Sequence, residues 1–335
     1  MTAGVPAASR VVELITGGWR AQAVHTAVKL GLPDHVEAGH TTDAGLAAAS
    51  GAKEEGIHRL MRLLVAMGVF AGDGSGYRTT EVSRALLDRP GSQRDMCLLY
   101  GEDFYTAWGH AAEAISTVSS GFEIAYGTPL YAYLKTDRAA SDRFQGAMRA
   151  GNLFFDAVPG VYDFAGKRVV DLGGGSGQLL GAILAATPGA RGVLLDLPNV
   201  VEAAREYLAD ELDRVELVGG DMFADVPPGG DVYLLCRVLA GHSDDAVVGL
   251  FENIRRNLTG PSARLLLLDR LVADEGSTVL PALWDLHLLM TTGGRHRSRA
   301  ELRVLLDRAG LEIERAADLP VETTALIVRP RSHDG

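Results

Sequence analysis

Residues 169–178 restrict the possible fold more than any other part of the chain. They read Val-Val-Asp-Leu-Gly-Gly-Gly-Ser-Gly-Gln, so a short apolar run is followed by Gly173, Gly175 and Gly177 and then by a helix-forming stretch. Glycines at this spacing permit a tight turn and a close approach of the backbone to a nucleotide-like ligand. Nicotinamide-dependent enzymes use the same spacing, and a turn that binds no ligand is the alternative. The segment predicts a strand, a turn and a helix at a ligand-binding edge.

Strands and helices alternate from this point to the end of the chain. Apolar runs predict five strands, separated by segments of helix length: 168–172, 192–195, 215–218, 232–235 and 265–268. A helix over 298–309 and two closing strands over 311–314 and 324–328 complete the pattern. Such alternation is typical of an α/β fold with a parallel, doubly wound sheet that is buried on both faces.

The N-terminal part follows a different pattern. Helical periodicity extends from residue 9 to residue 70, and the turn at 73–76 then joins two short strands. Two helices followed by a hairpin indicate a winged-helix unit. Such a unit is all-helical except for the hairpin, which forms its wing. Lys53 is followed by Glu54 and Glu55, and the net charge of −11 disfavours binding to DNA or to an anionic membrane. We therefore interpret the unit as a dimerisation module that makes the protein a homodimer.

Length and composition set the remaining limits. The 335 residues allow more than one domain, and we expect a dimerisation domain at 1–95, a helical linker and substrate-pocket region at 96–160, and the α/β domain at 161–335. The two cysteines, Cys97 and Cys236, are too few for a disulfide-stapled secreted fold. No run approaches the roughly 20 apolar residues that span a bilayer. We expect a cytoplasmic protein.

Carboxylates at the strand ends make the ligand more specific. Asp171 precedes the glycines and could hold an ammonium group, whereas Asp196 ends the second strand, where ribose hydroxyls are bound. Asp221 follows the third strand and offers an acceptor for an adenine amino group, with Met222 and Phe223 as apolar surface for its ring. A ligand without phosphates suits this acidic surrounding better than a dinucleotide does.

Taken together, these motifs resemble the small-molecule O-methyltransferase family of the plant caffeate and bacterial antibiotic type. The matching segments are 171–177, 196–198, 220–223, 237–239, 243–245 and 293–295. The resemblance implies S-adenosylmethionine as cofactor, a seven-stranded methyltransferase domain and a role in secondary metabolism. It adds Leu197 and Arg237 to the cofactor site. Residues expected to line the substrate pocket are Phe104, Trp108, Met148, Trp284 and Arg295, the last as a partner for a substrate carboxylate.

The chain departs from this family at the position of the general base. Where the family usually has Arg-Val-Leu-His-Asp-Trp, this sequence has Ala240 in place of the histidine, and His242 follows two residues later. His287 stands where asparagine is common, and Asp269 ends the fifth strand. Two imidazoles and a carboxylate are a known metal-binding set. A family branch that methylates α-keto acids at carbon resembles this arrangement, which predicts a divalent or ferric ion that stabilises an enolate.

Other interpretations stay open from the sequence. His242 with Asp269 would serve as general base for O- or N-methylation, or for methylation of a phenol ring carbon, with His287 as a hydrogen-bond donor to the substrate. Both histidines would be structural if methyl transfer had been lost. His110 and His296 are possible pocket residues. A regulator that senses the cofactor without catalysis would need a basic recognition helix and a damaged glycine turn, and neither is present.

Overall fold

The computed structural model describes residues 6–331. They form two compact units. The N-terminal unit contains the described residues up to Gly109 and those of Ala125–Gly151; the C-terminal unit contains His110–Ile124 and the described residues from Asn152 onward. Much of the predicted linker at 96–160 thus packs with the N-terminal helices. The division into functional regions at residues 95 and 160 stays a prediction.

The N-terminal unit is helical apart from one hairpin. Its elements are α1 (Ala7–Ile15), α2 (Gly17–Lys29), α3 (Leu32–Glu37), α4 (Asp43–Ser50), α5 (Glu54–Ala66), β1 (Phe70–Asp73), β2 (Gly76–Thr79), α6 (Glu81–Arg84), α7 (Arg94–Gly101), α8 (Asp103–Trp108), α11 (Leu130–Thr136) and α12 (Arg138–Ala150). The hydroxyl of Thr42 caps α4 by accepting the Gly45 N–H at 3.1 Å. The hairpin forms where the sequence predicts it, because the Asp73 carboxylate accepts the Ser75 N–H in the turn.

The N-terminal core follows the predicted apolar stripe of α5. Ile57, Met61 and Leu64 are fully buried there, with Phe70 of β1 against them. The order of helix, helix and hairpin is thus present, while the winged-helix description stays a prediction.

The C-terminal unit is built on a seven-stranded sheet in the order β5-β4-β3-β6-β7-β9-β8. Its strands are β3 (Arg168–Leu172), β4 (Arg191–Asp196), β5 (Val215–Gly219), β6 (Val232–Cys236), β7 (Arg264–Asp269), β8 (Leu311–Leu319) and β9 (Thr323–Pro330). The first five are parallel, as predicted, and β9 pairs antiparallel with both β7 and β8. The fold class expected from the sequence is confirmed.

Helices bury both faces of this sheet. The helices of the unit are α9 (Ala111–Thr117), α10 (Gly121–Tyr126, which extends past the unit boundary), α13 (Gln178–Ala186), α14 (Pro198–Tyr207), α15 (Asp244–Asn257), α16 (Val279–Thr292) and α17 (Arg299–Arg308). Val170 and Leu172 of β3 pack into the core with α15 and α17, whereas Val169 packs into the core with α13 and α14. This two-sided burial explains why the strands are continuous apolar runs.

The strand order reverses next to β3. The chain builds outward from β3 through β4 to β5, then returns to place β6 and β7 on the opposite side of β3. In open α/β sheets, a ligand crevice lies at this reversal, beside the carboxyl ends of the strands. No helix within residues 6–331 is long and apolar enough to cross a membrane.

Candidate active site

The glycine turn after β3 has the backbone geometry that its sequence requires. Gly173, Gly175 and Gly177 have φ angles of 71°, 58° and 81°, in the left-handed region that favours glycine. A Cβ on Gly173 would lie 2.9 Å from Val238, and one on Gly177 would lie 2.6 Å from Leu208. A Cβ on Gly175, by contrast, would meet nothing within 4 Å. The middle of the turn therefore faces open space that a ligand can occupy.

Asp171 is the most unusual group beside this turn. It is 1% exposed, and neither carboxylate oxygen has a hydrogen-bond partner within residues 6–331. Burial, and then the charge of Asp196, raise the pKa of Asp171 to about 7. A buried carboxylate without partners is costly unless a cation neutralises it, so this corner of the sheet fits a positively charged ligand.

Asp196 ends β4 and closes over the same turn. One carboxylate oxygen accepts the Gly175 N–H at 2.8 Å and the other accepts the Leu197 N–H at 2.7 Å. Each oxygen keeps a second lone pair for a ligand hydroxyl. Leu197 is half exposed just before α14 begins.

The segment after β5 lies near the glycine turn through Met222. The Met222 sulfur is 3.5 Å from where a Cβ of Gly173 would stand. Asp221 is exposed and accepts the Phe223 N–H at 2.9 Å, and the half-buried Phe223 ring packs at 4.4 Å from the ring of His242. An acidic acceptor and two apolar side chains thus stand together, and their role toward an adenine ring stays a prediction.

Arg237 follows β6 with a φ of 55°, a left-handed conformation that is costly for a side chain of this size. Its guanidinium lies 5.3 Å from the centre of the Phe154 ring and donates a hydrogen bond to the Asn152 side chain. Asn152 in turn donates to Gln178, the first residue of α13. No sequence motif predicts this set of polar contacts, because Asn152, Gln178 and Arg237 are far apart along the chain.

The structure corrects the prediction of a metal centre. Within residues 6–331, no group of three or more His, Cys, Asp or Glu side chains is arranged to hold a metal ion. His242 is exposed beside Phe223, and His287 packs edge-on to Trp284 at 5.6 Å. The prediction that His242, Asp269 and His287 form one ligand set is therefore wrong, because their segments direct the side chains to different surroundings.

Asp269 has a different imidazole partner from the one expected. Its Oδ1 atom accepts the Arg270 N–H at 2.8 Å and lies 3.6 Å from Nδ1 of His296. His296 is 8% exposed, and its Nδ1 has no hydrogen-bond partner within the described chain. Sequence reasoning considered His296 only as a pocket residue. The signal for its position was the Gly293-Gly294-Arg295 turn just before it.

The pKa values of the three imidazoles are all lowered. Burial, and then Arg270, lower the pKa of His287 to about 4. Burial, Arg270 and Arg237 lower the pKa of His296 to about 4, and partial burial with Arg297 lowers the pKa of His242. All three rings are therefore neutral at pH 7 and can accept a hydrogen bond or a proton.

The predicted pocket residues divide between the two units. Phe104 is buried, while Trp108 and Met148 are half-buried, in the N-terminal unit. In the C-terminal unit, Trp284 lies 4.4 Å below the Arg270 guanidinium.

Arg295 is already paired with two carboxylates. It donates to Glu301 at 2.6 Å and to Asp244 at 3.2 Å. This arrangement disfavours its expected role as partner of a substrate carboxylate, and Arg270 is a cation that the sequence reasoning missed.

Comparison with known proteins identifies the family. The O-methyltransferase domain matches residues 108–312, and the O-methyltransferase dimerisation domain matches residues 12–89. The chain belongs to the O-methyltransferase family. The resemblance inferred from the sequence motifs is thus confirmed.

Three relatives illustrate this family. A phenazine-1-carboxylate N-methyltransferase of Pseudomonas aeruginosa is 44% identical over 324 residues, covering 96% of this chain and 97% of the relative. The pyocyanin biosynthetic protein PhzM is similar in structure with a TM-score of 0.90 and 44% identity, covering 98% of this chain and 100% of that one. The O-methyltransferase NcsB1 from neocarzinostatin biosynthesis, solved with S-adenosylmethionine and 2-hydroxy-5-methyl naphthoic acid, has a TM-score of 0.76 and 31% identity, covering 93% and 96%.

The family assignment decides between the broad alternatives left by the sequence. The chain is an S-adenosylmethionine-dependent methyltransferase of secondary metabolism rather than a regulator that only senses the cofactor. Neither the family nor the described residues support metal-assisted methylation of a 2-oxo acid at carbon.

Proposed function

We propose that this enzyme methylates a ring nitrogen of a planar, fused aromatic acid of the phenazine type. The observation that carries the proposal is Ala240, which occupies the position of the family's general base. A ring nitrogen attacks with its own lone pair and has no proton to lose, so it needs no base. The relative with 44% identity is named for the N-methylation of phenazine-1-carboxylate, and NcsB1 was solved with a naphthoic acid.

The residues at the glycine turn fit S-adenosylmethionine, which supplies a methyl group on a positively charged sulfur. The partnerless carboxylate of Asp171 suits a cationic ligand, and the open space beside Gly175 leaves room for it. We assign Asp196 and Leu197 to the ribose, and Asp221 to the adenine amino group. The remaining cofactor contacts in this proposal are Gly173, Gly177, Met222, Phe223 and Arg237.

Arg270 and Trp284 provide the features that an aromatic acid requires. The half-buried Arg270 guanidinium lies over the Trp284 ring, and it lowers the pKa of both His287 and His296. A positive charge beside an aromatic surface attracts a carboxylate on a flat ring. We therefore assign the acceptor's carboxylate to Arg270 rather than to Arg295.

We further propose that the enzyme is a homodimer formed through its N-terminal domain. This proposal follows from the match to the dimerisation domain over residues 12–89. The cytoplasmic location expected from the sequence remains a prediction.

Methylation of phenazine-1-carboxylate tests the proposed function directly. The protein is incubated with S-adenosylmethionine and this acid, and the product is examined by mass spectrometry and by NMR of the new methyl group. We expect one added methyl group on a ring nitrogen and an equal amount of S-adenosylhomocysteine. Tight cofactor binding by calorimetry together with no methyl transfer to this acid or to related fused-ring acids would overturn the proposal.

A further inference from the structure

Ala240, Asp269 and His296 meet in one corner of the C-terminal unit, beyond the ends of β6 and β7. The Arg295 N–H donates to the Ala240 carbonyl at 2.9 Å, which holds the turn before His296 against residue 240. A Cβ on Gly294 would lie 2.6 Å from the same carbonyl, so only glycine permits this approach. All three residues line one small cavity. An imidazole therefore stands beside the place where the family's base is missing.

The orientation of His296 suits proton transfer. Its Nδ1 faces Oδ1 of Asp269 at 3.6 Å, a distance that is often long in a ligand-free site and shortens on binding. Its backbone N–H donates to Asp285 at 2.7 Å, which fixes the residue in place. With Nδ1 turned toward a carboxylate, the lone pair of the neutral ring lies on Nε2.

The charges around the pair favour its reactive state. Burial raises the pKa of Asp269 to about 6, while the Arg270 N–H and the charges of Arg237, Arg270 and Arg297 lower it. Asp269 is thus mainly a carboxylate at pH 7 and His296 is neutral. A proton arriving on His296 would convert them into a buried ion pair without net charge, which costs less than a lone buried cation.

We propose that His296 is the proton acceptor when the acceptor group is a hydroxyl, with Asp269 as its positioning residue, so that this site methylates hydroxyls as well as ring nitrogens. The inference rests on the proposed function for its cofactor and its aromatic acceptor. The acceptor oxygen forms a bond to the methyl carbon as the carbon–sulfur bond breaks. The electron pair of that bond stays on sulfur, and the hydroxyl proton moves to Nε2 of His296.

His242 is less suited to this role. It is exposed, its ring packs on Phe223, and the nearest carboxylate that affects it is the exposed Asp221. His287 packs against Trp284, and the charge near it is that of Arg270. His296, by contrast, faces the carboxylate at the end of β7.

Two acceptors separate proton removal from the rest of the reaction. Phenazine-1-carboxylate offers a ring nitrogen without a proton, and 2-hydroxy-5-methyl naphthoic acid offers a hydroxyl. We expect His296→Gln to lower kcat for the hydroxyl acceptor about 100-fold and to change it less than about threefold for the ring nitrogen. His58→Gln, at an exposed histidine in the N-terminal unit, is the matched control and should change neither.

The pH dependence of hydroxyl methylation in the conservative variant Asp269→Asn is the second readout. A purely structural role of Asp269 would leave this pH dependence unchanged. Wild-type hydroxyl methylation should fall as the pH drops below about 6, as Asp269 becomes protonated. The variant should lose this acidic limb and also turn over slowly at pH 8. Thermal unfolding checks that each variant is folded; His296→Asn replaces His296→Gln, and Asp269→Ser replaces Asp269→Asn, where the first choice is not.

The outcomes are distinct. Equal losses on both acceptors, with normal cofactor binding, would overturn the role of His296. Methylation of the ring nitrogen but not of the hydroxyl by the wild type would overturn this inference alone. Methylation of neither acceptor would overturn the proposed function, and this inference with it.

Discussion

At the scale of single residues, Asp171 is destabilising when the protein carries no ligand. Its carboxylate is buried, has no hydrogen-bond partner within the described chain and lies near a second carboxylate, Asp196. Such groups are retained where function requires them, because evolution removes buried charges that only cost stability. The cost should therefore disappear when a cation binds.

Replacing this carboxylate by its amide tests that cost. Because the pKa of Asp171 is raised to about 7 from 3.8, the folded state holds a proton more tightly than the unfolded state. The stability from this proton is complete below about pH 4 and is lost as the pH rises to about 7. Without cofactor, Asp171→Asn should be more stable than the wild type at pH 8, by on the order of 4 kcal/mol, with little difference at pH 4.

Urea unfolding at several pH values measures this difference, and calorimetry should show weaker binding of S-adenosylmethionine to the variant. Asp142→Asn, at a largely exposed carboxylate of α12, is the control and should have little effect on either. Equal stabilities of Asp171→Asn and the wild type at every pH would contradict the prediction.

Two glycines with similar backbone angles isolate the role of the turn. Gly175 and Gly189 both have positive φ angles, 58° and 88°, and a Cβ on either meets nothing within 4 Å. An alanine at either position should thus cost a similar backbone strain of roughly 1–2 kcal/mol. Only at position 175 would the new methyl group enter the space assigned to the cofactor.

We therefore expect Gly175→Ala to weaken S-adenosylmethionine binding at least about tenfold, equivalent to about 1.4 kcal/mol. Gly189→Ala should bind the cofactor as the wild type does. Calorimetric titration of both variants decides the matter, and equal affinities would show that the cofactor does not approach Gly175.

At the scale of elements, sequence periodicity was sufficient wherever local contacts determine the structure. The apolar runs of β3 and β4 and the stripe of α5 lie where they were predicted. The closing strands are longer than predicted, Leu311–Leu319 and Thr323–Pro330, since their middle residues are held by pairing with each other and, for β9, with β7. Pairing between strands depends on residues that are distant along the chain, so a local sequence pattern does not predict it.

The candidate site was predictable only in part, for the same reason. The carboxylates that we assign to the cofactor lie at or just beyond the carboxyl ends of strands, so their common edge follows from the parallel sheet. His296 follows no strand and reaches Asp269 through the turn that binds Ala240. Contacts between loops depend on the packing of the whole unit, which is why the sequence assigned Asp269 to His242.

Arg297 organises the segment that follows β6. Its side chain is 3% exposed, and it donates to the carbonyls of Leu239 and His242 and to the Asp244 carboxylate. Lysine cannot reproduce this planar set of donors. We expect Arg297→Lys to lower the free energy of unfolding by about 2–3 kcal/mol, because buried acceptors lose their partners.

Chemical denaturation measures this loss. Arg308→Lys is the control, because Arg308 pairs with Asp245 on the surface. This substitution should change the free energy of unfolding by less than about 0.5 kcal/mol. Similar effects of the two substitutions would mean that the segment is held by other contacts.

At the scale of the whole molecule, the proposed homodimer should depend on the first helix. No residue of α1 is buried, and four of its apolar side chains are more than half exposed: Val11, Val12, Leu14 and Ile15. Clustered apolar exposure of this kind is typical of an interaction surface. The dimerisation-domain match begins at residue 12, within this helix. We expect a second copy of the chain to cover it.

The double substitution Val12→Glu and Ile15→Glu tests this expectation. Each burial of such a side chain contributes about 1.5–3 kcal/mol, so losing two should weaken the dimer at least about 100-fold. Sedimentation velocity at micromolar concentration should then show a monomer. Val304→Glu, at a residue of α17 that is 58% exposed, adds a similar charge elsewhere and should leave the dimer intact. A dimer that survives both glutamates would place the interface on another part of residues 12–89, and the loss of the dimer in Val304→Glu would place it in the C-terminal unit.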